Sequence, residues 1–116
     1  MAKATYWQRG ESLDYKNGTT DIIHENTIIA IGTRIGVTGT VINPDEVGSL
    51  HVCGIFEMPK TTSSEVITLG ANVYFDGTGI TATAGSNTPA GSNTPAGYAV
   101  EESGATAANV LVKLLG

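Results

Sequence analysis

The chain has 116 residues, a formal net charge of −5, and only 15% charged side chains against 41% hydrophobic ones, where a soluble domain ordinarily carries about 25% charged residues. That length suits one domain with one core, the Lys and Arg residues are spread singly and form no stripe to neutralise phosphates, and no run approaches the roughly 18 apolar residues of a membrane span. Nucleic acid and membrane are therefore excluded as direct partners, the single Cys53 excludes an intrachain disulfide, and a surface so short of charge predicts self-association.

Residues 1–12 read as an arm. They concentrate Tyr6 and Trp7 with Lys3 and Arg9, the residue types that anchor interfaces. Lys3, Tyr6, Trp7, Gln8 and Arg9 are the candidate contact residues. Alternation along a first strand would turn Trp7 inward as a plug and leave Tyr6, Gln8 and Arg9 outward. The same stretch has no apolar signal-peptide core, which predicts synthesis on the cytosolic side. Asn17-Gly18 then predicts a turn between ESLDY and DII. In AIGTRIGVTGT, Gly32, Gly36 and Gly39 depart from the phosphate-binding spacings and precede no helical pattern, so they read as turn or bulge positions.

SLHVCGIFEM is the strongest strand: Leu50, Val52, Phe56 and Met58 fall on one face, and Ser49, His51, Cys53, Ile55 and Glu57 on the other. TSSEVITL offers a place for a short helical turn, with Ser63 or Ser64 capping ahead of Glu65, although Val66, Ile67 and Thr68 are poor helix formers. ANVYFDGTGITATA predicts a tight hairpin turning at Asp76-Gly77. Residues 84–97 hold Ala-Gly-Ser-Asn-Thr-Pro twice and begin a third copy, a composition that reads as a surface loop whose lengthening costs little closure entropy. GYAVEE and NVLVKLLG follow as strands, the last with Val110, Val112 and Leu114 opposed to Leu111, Lys113 and Leu115. Pro44, Pro59, Pro89 and Pro95 are placed in loops or at strand ends. The whole predicts an all-β fold: a small single-domain β-barrel or sandwich over residues 1–116, built of short antiparallel strands with hairpins and at most one short helical turn.

The chemistry is sparse. His51 and Cys53 share a face of the predicted strand, but His24 is the one other histidine and tetrahedral zinc needs four ligands. No nucleophile motif accompanies Cys53 or a serine, and Asp45-Glu46 and Glu101-Glu102 read as solvated carboxylates. The expectation is a non-enzymatic protein with no cofactor and no metal. A small β-barrel module recognising a host surface or carbohydrate is the alternative, although residues 84–97 show no aromatic platform.

The opening MAKATYWQRGESLDY, GSLHVCGIFEMPK, and ANVYFDGTG followed by AGYAV together resemble the small capsid cement, or head decoration, proteins of tailed bacteriophages. The resemblance runs over nearly the whole chain and lies in core strands and turns; the second AGSNTP departs from it. It implies a β-rich fold, assembly as an oligomer with trimers the usual form, and attachment to the major capsid protein on the outside of the head, in a virion assembled in the bacterial host cytoplasm.

Overall fold

A computed structural model describes residues 2–6, 10–84 and 93–114, and within them the chain forms strands and turns with no helix. The first sheet joins β1 (Ser12–Lys16), β2 (Ile28–Ile31), β3 (Arg34–Thr38) and β4 (Val47–His51) in the order β1-β4-β3-β2. The second joins β5 (Ile55–Pro59), β6 (Asn72–Phe75), β7 (Ile80–Thr81), β8 (Thr94–Ala99) and β9 (Asn109–Leu114) in the order β5-β9-β8-β6-β7. Each pairing is antiparallel. The sheets pack as a sandwich and do not close into a barrel.

The predicted strand over SLHVCGIFEM is two strands. β4 ends at His51, β5 begins at Ile55, and Gly54 between them has φ of +112°, a backbone state that breaks a ladder and that glycine adopts without steric penalty. Each half keeps its alternation but serves a different sheet. Leu50 is cross-strand from Leu13 and Thr38, on the face opposite the one that Val37 shares with His51. Val37 lies in the core between the sheets, and so does Met58 of β5. Leu50 and Met58, expected on one face, are therefore buried in different layers.

The central core takes Ile35 and Val37 from β3 and sets them against Met58, Val73, Ile80, Ala96, Ala99, Val110, Val112 and Leu114 of the second sheet, with Ile67 from the β5–β6 connection. Burying each of the larger aliphatic side chains contributes about 1.5–3 kcal/mol, so the predicted register of β9 is fixed by its three inward residues. A second buried layer lies on the far face of the first sheet. A side chain on Gly36 would stand 2.6 Å from Leu50 Cγ, and one on Gly48 would overlap Ile42. Gly36 thus leaves room for the Leu50 side chain of the neighbouring strand, and Gly48 opens a slot for Ile42 of the β3–β4 connection.

Asn17 ties that layer. Its Nδ2 donates to the carbonyls of Asp21 (2.7 Å) and Ile42 (2.9 Å), and its Oδ1 accepts from the backbone N–H (2.9 Å) and hydroxyl (2.6 Å) of Thr19. The expected Asn-Gly turn before DII is accordingly absent as a hairpin turn: Asn17 is buried, β1 pairs with β4, and Ile23 pairs with Ile42. Thr38 closes the same layer, its hydroxyl donating to His24 O and accepting from Thr27 N–H. The helical turn expected in TSSEVITL is a single hydrogen-bonded turn, Glu65 N–H to Thr62 O, after which Ile67 is drawn into a bridge with Ser103. The β-branched run favours that extended course.

The hairpin at Asp76 stands as expected, with β6 pairing β7 and Gly77 at φ +97°. The strand after the duplicated hexapeptide starts earlier than expected, at Thr94, so Pro95 lies within β8 and not in a loop. Its missing N–H is tolerated there because β9 pairs only with Gly97–Ala99, while the register against β6 shifts at Val73/Tyr74, making Ala96 a bulge. The expected loop 84–97 thus ends in strand; its residues 85–92 lie outside the described residues.

Candidate interaction surface

The residues that carry chemistry in the sequence do not converge. His51 is half-buried, its ring centroid 6.2 Å from that of Phe56, and Cys53 is half-buried beyond the end of β4. His24 is exposed and contributes its carbonyl to the hydroxyls of Thr27 and Thr38. Among the described residues no group of three His, Cys, Asp or Glu side chains is placed to hold a metal ion. Gly32 forms the first position of the two-residue turn between β2 and β3, at φ +65°, and so shapes a hairpin without cradling a phosphate. Glu46 turns its carboxylate back onto the Asn43 N–H, and Glu101 and Glu102 are exposed beyond β8.

One carboxylate is electrostatically tuned. Partial burial works to raise the Asp76 carboxyl, but the Thr61 hydroxyl at 2.6 Å and the backbone N–H groups of Gly79 and Thr78 outweigh it and hold the group below the ordinary carboxylate range. These bonds fasten the β6–β7 turn to the segment after β5, a structural use of charge.

The molecule presents several large apolar side chains outward. Ile55, Lys113, Tyr98 and Asn72 are successive cross-strand partners on β5, β9, β8 and β6, and they form one row across the outer face of the second sheet. Ile55 is 57% and Tyr98 37% exposed. Val66 and Leu69 stand out from the β5–β6 connection, and Ile22 and Val41 from the loops over the first sheet. The sequence alone does not show this row, because cross-strand neighbours are set by register and its alternation runs on unbroken from β4 into β5. Tyr98, within the AGYAV stretch, was the available signal.

Of the five candidate contact residues, Lys3 and Tyr6 are exposed in a segment that carries no strand, Tyr6 at 81%. Trp7, Gln8 and Arg9 lie outside the described residues. Among the described residues the first strand begins at Ser12 and Tyr6 lies in none; the alternation expected of Trp7, Gln8 and Arg9 falls outside them. Between the two sheets, where β2 and β5 face one another, opens a cleft of about 130 Å³. Ile28, Val37, Phe56 and Met58 form its walls, with Asn26 and Glu57 also lining it.

Neither a curated protein nor a solved structure matches the chain. The family profile described as phage cement protein matches residues 7–114, from within the arm to the end of β9. A two-sheet β domain with outward apolar side chains and this match over nearly its whole length belongs to the phage cement proteins, structural proteins associated with the phage capsid.

Proposed function

We propose that the protein binds the outer surface of an icosahedral phage head through the major capsid protein, as a trimer made in the host cytoplasm, and so stabilises the mature shell. Family membership over residues 7–114 is the observation that carries this reading. The exposed Ile55 and Tyr98, which alternate with Lys113 and Asn72 in the outer row, and the exposed Tyr6 support it, since docking by shape needs desolvated anchors and no reacting group. A cement that binds only the assembled lattice stabilises that lattice by mass action, and a trimer at a symmetric junction engages several weak sites at once and gains avidity. Residues Lys3, Tyr6, Trp7, Gln8 and Arg9 are proposed to contribute shell or neighbour contacts.

The test is to add purified protein to heads that lack it. Binding with a raised temperature of head disruption is the expected result. Heads that neither bind the protein nor gain thermal or chelator resistance refute the reading.

A further inference from the structure

The open side of the sandwich has the makings of a strand-acceptor site. β2 and β5 are outer strands of their sheets, and the cleft lined by Ile28 and by Phe56, Glu57 and Met58 brings these two edges together at one seam. Unpaired strand edges invite an additional strand, and a charged residue on the edge restricts which strand is accepted. Glu57 of β5 is exposed and supplies that charge. The same chain carries a segment of matching character: residues 2–6 are exposed and in no strand, with Tyr6 81% exposed and Lys3 three positions before it. The outer edge of β5 is open from Ile55 to Met58, because Pro59 has no N–H and the next residue, Lys60, bridges in parallel to Ile80 of β7; about four extended arm residues, roughly 13 Å, fit along it. Tyr6 stands clear of its own chain's cleft, as its exposure shows.

We infer that the N-terminal segment of one copy docks along the seam of a second copy, with Tyr6 entering the cleft between β2 and β5 and Lys3 facing Glu57. This rests on the self-association contained in the proposed function. The contact is heterologous, arm to seam, and such contacts close into rings when the rotation between copies permits, which accords with a cyclic trimer. A Tyr ring seated among Ile28, Val37, Phe56 and Met58 would supply the anchor, and the Lys3–Glu57 pair at the rim the selectivity.

The experiment uses the full-length chain and sedimentation equilibrium. Y6A is expected to weaken association by about tenfold or more, as loss of an interface anchor does. K3E and E57K are each expected to weaken it by about three- to fivefold, the range of a rim ion pair, and K3E/E57K together to restore it. In a Cys53→Ser background, mixing a Lys3→Cys chain with a separately tagged Glu57→Cys chain is expected to yield a disulfide between the two chains. A wild-type monomer at all concentrations removes the self-association on which the inference rests. An oligomer indifferent to Y6A, K3E and E57K overturns the seam alone. A disulfide that forms only within one chain carrying both cysteines also overturns it, as do variants that lose head binding while keeping the wild-type mass.

Discussion

Asn17 concentrates much of the order of the loops over the first sheet in one amide. It is fully buried and uses both donors and its acceptor on Thr19, Asp21 and Ile42, while its own backbone bonds Asp45 and Glu46. Removing the amide strands the carbonyl of the buried Ile42, at about 1–3 kcal/mol, and loses the bonds to the exposed Thr19 and Asp21, so Asn17→Ala is expected to lower stability by about 2–3 kcal/mol in urea denaturation. Lys60 has a comparable position between the sheets' connections: it is 7% exposed, and its ammonium donates to the carbonyls of Glu65 (2.6 Å) and Gly104 (2.8 Å). Lys60→Met keeps the bulk and deletes the donors, and is expected to cost about 1–3 kcal/mol and to raise amide exchange in both connections. Asp76 makes the pH-dependent contribution. Its carboxyl lies below the ordinary value in the folded state, so its stabilisation is present above the unfolded-state value and is lost as pH falls through the lowered one. The stability gap between wild type and Asp76→Asn is therefore expected to be constant near neutrality and to shrink below about pH 4. Of these three residues, the sequence announced only Asp76, by its place beside Gly77 in a hairpin; the burial of Asn17 and Lys60 depends on partners 25 and 44 residues away.

At the scale of elements, the duplicated hexapeptide is partly strand. Thr94 and Pro95 of its second copy pair with β6, and Ala96 and Gly97 of the incipient third copy follow within β8. Asn93 closes the base of the intervening segment, donating from its backbone to Ala84 O (3.1 Å) and from Nδ2 to Thr83 O (2.8 Å). Deleting residues 85–90 would join Ala84 to Gly91-Ser92-Asn93, leaving a two-residue Gly-Ser turn under the same backbone bond, with glycine where a II′ turn requires it. Loop closure from eight residues to two spans two doublings, worth about 1.2 kcal/mol. The deletion variant is therefore expected to fold and to be as stable as the wild type or up to about 1 kcal/mol more stable, measured by thermal unfolding. Loss of the fold would show that the segment does more than connect. Gly97 is the contrasting position: a Cβ there collides with the Lys113 carbonyl oxygen, so Gly97→Ala is expected to destabilise by several times the typical ~1 kcal/mol of a point substitution.

On the scale of the whole molecule, two sheets meet along β3 and β8 and leave a seam on one side. Sparse charge and outward Ile55, Tyr98 and Tyr6 make it a body suited to fitting against other proteins. If it cements by binding the assembled shell, head stability must rise with the logarithm of free protein concentration, about 1.4 kcal/mol per site for each tenfold above the dissociation constant; calorimetry of heads at graded protein concentrations measures this. The period-two alternation of β9, the Asp-Gly hairpin and the glycine spacing were legible because they are local consequences of side-chain geometry and backbone φ. The all-β class and the resemblance to phage cement proteins followed from those same stretches. The division of SLHVCGIFEM between two sheets was not legible, because an alternating pattern continues unchanged through a corner and only the packing of Leu50 and Met58 into separate layers shows that the chain has turned. The outer row of Ile55, Lys113, Tyr98 and Asn72 and the seam between β2 and β5 were likewise decided by strand order and register, which depend on contacts between residues far apart in the chain.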